Sequence, residues 1–126
     1  MREVAVIGIG QSTFGKFPWR AAADLDAEAV RAAVEDCGIS PKAIQVAYCA
    51  RAYDANCTGQ GILKEVGVRN IEIINVENAC AGGATSFRGV WKEIADGRYD
   101  VGIAIGVESM TTSPIEIGRA SCRERV

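Results

Sequence analysis

Four short apolar runs rich in β-branched residues punctuate the chain, at 3–9, 44–50, 71–76 and 100–107, with segments of a different period between them. Runs such as EVAVIGI (3–9) and IEIINV (71–76) suit strands covered on both faces. In 22–37, by contrast, Ala22, Leu25, Ala29, Val30, Ala33 and Cys37 share one helical face, and Asp24, Glu28, Arg31 and Glu35 fall opposite. Gly38 stops that helix, and Pro41 lies just beyond. Residues 60–66 suit a short helix ending at Gly67, and 80–96 a longer one ending at Gly97. The resulting order is strand, helix, strand, helix, strand, helix, strand. It predicts an α/β layered domain, with a mostly parallel mixed sheet and crossover helices, and nothing marks that sheet as complete.

Two of these segments have an asymmetry worth following. In 100–107, Val101, Ile103, Ile105 and Val107 alternate with Gly102, Ala104 and Gly106. One face of this strand is therefore bulky, and the other is small enough for a helix to approach closely. In 80–96, Cys80, Ala84, Phe87, Trp91 and Ile94 fall on one stripe, while Ser86, Lys92, Glu93 and Asp96 lie away from it.

Composition narrows the function classes. The chain has 126 residues, 48% of them apolar, enough for one modest core. A net charge of -2 lacks the basic footprint of a nucleic-acid binder. No run approaches the roughly 18 apolar residues of a membrane span. The first residues lead directly into a strand-like run, without the pattern of a secretory leader, so a cytoplasmic location is expected. Five cysteines, widely spaced and odd in number, fit reduced thiols better than a disulfide framework. Without a single histidine the chain offers no imidazole base and a poor donor set for zinc, so no metal is expected.

The sharpest feature is ENACAGGATSF at 77–87. Cys80 follows the third strand by a few residues and opens the third helix. Sites in open α/β sheets lie beyond the carboxyl ends of strands. A helix N-terminus favours negative charge, so thiols placed there ionise more readily, and its N–H groups can receive an oxyanion. Asn78 is a candidate cap. Gly82 and Gly83 cost helix propensity but leave room for a thioester. From periodicity alone, however, Cys80 is better read as a small side chain filling a tight contact between helix and sheet. Position does not establish reactivity.

Weaker signals stand beside it. GIGQST at 8–13 lacks the third glycine of a dinucleotide fingerprint. Asp24, Glu28 and Glu35 read as a solvated acidic face. Cys57, beside Thr58, reads as an ordinary loop residue before it reads as part of a site. Glu108 and Ser109 follow the fourth strand at the same sheet end as Cys80. They either orient the loops there or simply end the strand.

Taken together and in order, VAVIGIGQSTFGKF, VENACAGGATSF and DVGIAIGVESM make the chain resemble the thiolase family over about residues 3–115, most closely its sterol-carrier-protein-type and archaeal branch. The resemblance implies that Cys80 accepts an acyl group from an acyl-CoA, releasing CoA. It also implies that the acyl-enzyme then passes to CoA or to an enolate. Coenzyme A thioesters would be substrates, with no permanently bound cofactor. It further implies a homodimer of the full-length protein, with an accessory subunit as a further partner. Histidines and a second cysteine would come from a C-terminal half, so the chain alone is expected to be inactive. The family often has serine where this chain has Gly82, which puts substrate details in doubt. A ketoacyl or hydroxymethylglutaryl-type condensing enzyme and a non-catalytic thiolase-like subunit are the alternatives. Residues 117–126, IGRASCRERV, break with the pattern before them and resemble the translation of a sequencing adapter. The expected organisation is therefore an N-terminal thiolase-like domain over 1–116 and a non-native tail.

Overall fold

A computed structural model describes residues 1–53 and 56–109 of the chain. The helix expected at 22–37 forms as α1 (Ala22–Cys37). Gly38 ends it in the left-handed conformation (φ 67°), its N–H donating to the carbonyls of Val34 and Glu35. A 3₁₀ turn at Pro41–Ala43, capped by the Ser40 hydroxyl, leads into β1 (Val46–Ala50). Then come α2 (Thr58–Glu65), β2 (Glu72–Val76), a 3₁₀ turn at Ala79–Ala81, α3 (Gly82–Ala95) and β3 (Gly102–Gly106).

The three strands form a parallel sheet in the order β2-β1-β3. One crossover, through α2, runs from β1 outward to β2. The next, through α3, runs back across β1 to β3. Right-handed crossovers that travel in opposite directions put their helices on opposite faces. The packing agrees. Val30 of α1 and Ile62 and Leu63 of α2 join Ala47, Cys49 and Ile105 in one core on one face. On the other face α3 lies against Val46, Tyr48 and Ala50. The fold is thus the expected α/β layering.

The small face of the last strand receives α3 as its alternation suggested. A methyl group at Gly102 would lie 2.7 Å from Val90 Cγ1, and one at Gly106 would lie 3.2 Å from the Gly83 α-carbon. The bulky residues take the other face, where Ile105 is buried.

Two expectations fail. Residues 3–9 are not a strand among the described residues. They run between α1 and α3, alongside β3 but without a ladder to it. With Ala29, Ala33, Phe87, Trp91 and β3 they line an open pocket of about 330 Å³. Arg2 N donates to Ala95 O (2.8 Å), and Ile9 N donates to Asp36 Oδ2 (2.9 Å). Those bonds hold the segment against the helices instead.

The apolar stripe of α3 is also misassigned. Gly82, Ser86, Val90 and Ala95 are the buried residues, whereas Cys80, Ala84, Phe87 and Trp91 are exposed. Gly89 also lies on the sheet side, against the Tyr48 ring. Close packing on a sheet rewards small residues, so Gly82, Ser86 and Gly89 turn inward and the large rings turn out.

Smaller elements follow the same logic. The Phe17 and Trp19 rings meet edge to face at 6.1 Å, the local packing expected of that loop. Phe14 is instead exposed. Glu28 is more than solvated surface. It accepts from Thr13 N (3.1 Å) and from Arg20 (2.8 Å), which ties the 11–20 loop to α1. No described helix is long and apolar enough to cross a membrane.

Candidate active site

The register pairs Ala50 with Val76 on one side and with Gly106 on the other, so the carboxyl ends of all three strands lie together. The ladder runs one step further, with Arg51 N donating to Val76 O (3.1 Å) and Val107 N to Ala50 O (2.9 Å). Three loops therefore leave from one edge. They begin at residues 51, 77 and 107, and they bring the sequence candidates Asn78, Cys80, Glu108 and Ser109 to the same end of the sheet.

Cys80 occupies the 3₁₀ turn Ala79–Ala81 and is exposed. It is not the filler of a helix–sheet contact. The contact is made two residues later by Gly82, which is buried, and whose added methyl would lie 3.0 Å from Ala50 Cβ. Gly83 differs, because a methyl group there would meet nothing within 4 Å. The two glycines thus have separate physical reasons. Gly82 lets the helix touch β1, and Gly83 leaves open space in the first turn.

The backbone ahead of the thiol is bent sharply. Ala79 has φ 43°, a left-handed value that costs a non-glycine residue about 1–2 kcal/mol. Glu77 Oε1 accepts from Ala79 N at 2.6 Å and holds the bend. Ala81 N donates to Asn78 O at 2.9 Å. Asn78 sits at the expected N-cap position, but its side chain caps nothing there. Its Nδ2 donates instead to Thr85 Oγ1 (2.8 Å), and the Thr85 hydroxyl donates to Ala81 O (3.1 Å). With φ -154° and ψ 43°, Asn78 precedes a 3₁₀ turn rather than the α-helix, and its amide reaches past that turn.

Glu108 sits one residue beyond Val107 and reaches across to the loop after β1. Its Oε2 accepts from Ala52 N (2.9 Å) and Tyr53 N (3.1 Å). These bonds tie Glu108 to the loop after β1, not to the Cys80 turn. Ser109 follows it, half-buried. Cys57 is exposed in the same loop, at φ 61°, where it precedes α2. Asn75 secures the start of α2: its Oδ1 accepts from Gly59 N (2.9 Å) and its Nδ2 donates to Gln60 Oε1 (2.7 Å).

Sequence reasoning missed Glu77, Thr85 and Ser86. Glu77 holds an amide only two residues on, but the short-range turn motifs belong to Ser, Thr, Asn and Asp, so a glutamate there carries no such signal. The Asn78–Thr85 pair, seven residues apart, has no sequence signal. Among the described residues, no three His, Cys, Asp or Glu side chains are placed to hold a metal ion. The loop ends present an exposed thiol, open space beside it at Gly83 and backbone held by Glu77 and Glu108.

The family model described as the N-terminal domain of thiolase matches residues 4–125. An acetyl-CoA acetyltransferase of Methanocaldococcus jannaschii is 37% identical over 116 residues, covering 88% of this chain and 30% of that protein. A benzoylsuccinyl-CoA thiolase subunit of Thauera aromatica is 35% identical over 115 residues, 87% of this chain and 29% of its own length. A non-specific lipid-transfer protein-like protein of Caenorhabditis elegans is 34% identical over 117 residues, 90% and 28% respectively. The chain therefore spans less than a third of these relatives. Among solved structures, the priming β-ketosynthase of the R1128 polyketide pathway superposes with a TM-score of 0.58 at 21% identity, over 66% of this chain and 26% of that one. At that identity the likeness is one of fold. The match across nearly the whole chain, with the layered sheet behind it, places this chain in the thiolase family, through its N-terminal domain.

Proposed function

We propose that this chain supplies the nucleophile half of a CoA-dependent acyltransferase, with Cys80 as the residue that accepts the acyl group. The observation that carries this reading is the exposed thiol at the turn opening α3, next to the open space at Gly83. Relatives named for acetyl-CoA and benzoylsuccinyl-CoA chemistry support coenzyme A thioesters as the substrate class.

In the proposed reaction the Cys80 thiolate attacks the thioester carbonyl. The tetrahedral oxyanion collapses, the C–S bond to CoA breaks, and CoA leaves as its thiolate while the acyl group stays on Sγ. The acyl-enzyme is then cleaved by a second CoA thiolate, or by the enolate of a second acyl-CoA with formation of a carbon–carbon bond. Protons must be taken from Cys80 and returned to the leaving thiolate. The chain holds no histidine, so the base for both steps comes from the remainder of the longer protein. The chain alone is inactive on this reading, and the full-length protein works as a homodimer in the cytoplasm. We further take 1–116 as the domain and 117–126 as a non-native tail. That tail lies outside the described residues.

The test is to mix the full-length protein with acetyl-CoA, quench in acid and map the adduct by mass spectrometry. An acetyl group on Cys80 with stoichiometric release of CoA is expected, and Cys80→Ser should abolish thiolysis. A full-length protein that releases no CoA and acquires no adduct would be a non-catalytic thiolase-like subunit.

A further inference from the structure

Ser86 is the only buried polar side chain among the described residues, at 0% exposure. Its hydroxyl donates to Tyr48 O at 2.6 Å and accepts from Ile105 N at 3.2 Å. Tyr48 belongs to β1 and Ile105 to β3, so one hydroxyl from α3 touches both sides of the seam between the central strand and its neighbour. It is flanked along the helix by Gly82 against Ala50 and by Gly89 against the Tyr48 ring. Glycine contacts set how close the helix lies, but they are smooth and do not fix where it sits along its own axis. A two-bond polar contact does, because sliding the helix by a fraction of a turn breaks both bonds in a site that water does not reach.

We propose that Ser86 is a positioning residue for Cys80. It locks the axial position of α3 on the β1–β3 seam, and so sets how far the Cys80 turn projects beyond the strand ends. The proposal rests on the acyl-transfer reading for its kinetic consequences, but not for its geometric one. Five residues, 81–85, separate the anchor from the thiol, and they include the first turn of α3. A shift of the helix therefore moves the nucleophile relative to the loops held by Glu108.

The experiment uses the full-length protein with Ser86→Ala, Ser86→Cys and Ser86→Thr. Alanine removes both bonds. Cysteine keeps the bulk but bonds weakly, and threonine keeps the hydroxyl. Two readouts are taken on folded protein: kcat and KM for thiolysis, and the rate of Cys80 alkylation by iodoacetamide, mapped by mass spectrometry. Misplacement of a reacting group by about 1 Å can cost about a hundredfold in rate. The expected result is a fall of about tenfold or more in kcat for the alanine and cysteine variants, with KM within about twofold of wild type and an altered alkylation rate. Threonine, which keeps the hydroxyl but adds a methyl, should recover part of both. A purely structural role would lower thermal stability and leave kcat and alkylation per folded molecule unchanged, which overturns the proposal. The proposal also falls if threonine is as slow as alanine. Should alanine prevent folding, cysteine against threonine makes the same comparison. A wild-type protein without thiolysis would defeat the acyl-transfer reading, while the alkylation rates would still decide the positioning role.

Discussion

Gly106 faces the backbone of Gly83: a methyl group added to Gly106 would lie 3.2 Å from the Gly83 α-carbon. The helix that starts beside Cys80 therefore rests on the end of β3 through two residues that have no side chain. The same Gly83 points its own missing methyl into open space.

That asymmetry separates stability from activity. Gly83→Ala should leave the fold intact and stabilise it by about 0.5–1 kcal/mol, because alanine is the better helix former and φ is compatible. Thiolysis by the full-length protein should nevertheless fall, since the methyl would fill the space proposed for the thioester. Gly82→Ala should do the reverse, lowering the melting temperature through its contact with Ala50. Melting curves and kcat/KM on both variants check this. Equal loss of activity in the two would contradict the assignment of separate roles.

Close packing on the far half of α3 predicts a larger penalty. A methyl at Gly102 would meet Val90 Cγ1 at 2.7 Å and Val46 Cγ1 at 2.9 Å, between two buried side chains. Overpacking of this kind costs about 1–3 kcal/mol. Gly61, on the open side of α2, has nothing within 4 Å, and alanine there should stabilise by about 0.5–1 kcal/mol. Denaturant unfolding of the two variants should shift in opposite directions.

The Glu108 carboxylate holds two successive amides of the loop after β1. Hydrogen bonds to a charged group contribute about 1.5–3 kcal/mol. Glu108→Ala should speed hydrogen exchange at Ala52 and Tyr53, with little change in the β1 amides. Glu108→Gln, which keeps an acceptor oxygen, should lie between. Unchanged exchange at 52 and 53 would remove the loop-holding role.

Two tyrosines give the stability a dependence on alkaline pH. Burial, with the Glu93 carboxylate bonded to its hydroxyl, raises Tyr48 above the ordinary value of 10.0. Its bond to Glu72 does the same for Tyr99. A raised folded value means the fold prefers the neutral phenol. That contribution is fully present below pH 10.0 and is lost as pH rises through the folded values. Tyrosinate absorbance should appear at higher pH in folded than in denatured protein. Glu93→Gln should bring the Tyr48 transition down.

Val6, Ile7, Ile9, Phe87 and Trp91 leave an apolar surface around the open pocket beside β3, with Ile9 74% exposed. Surfaces of this kind mark contacts with other protein. The isolated chain should self-associate in the micromolar range, and replacing Ile9 and Phe87 by lysine should reduce the association. Light scattering after size-exclusion chromatography reads the result. An isolated wild-type chain that stays monomeric would show that this surface needs no cover.

The sequence by itself determined the alternation of strands and helices, and with it the layered fold. It also determined the end of α1 at Gly38, the small face of β3 and the place of Cys80 at the opening of α3. Those features depend on local period, on glycine at a left-handed position and on side-chain size, all of which are written into neighbouring residues. Tertiary structure alone decided three others. It left residues 3–9 outside the sheet, because the amides at either end of the segment, of Arg2 and Ile9, bond to α3 and α1 instead. It rotated α3 so that Gly82, Ser86 and Gly89 turned inward and Phe87 and Trp91 outward, because contact distance to the sheet outweighed hydrophobic period. And it joined Glu108 to Ala52 and Tyr53, since a carboxylate finds amides more than fifty residues away only once parallel strands have brought their ends together.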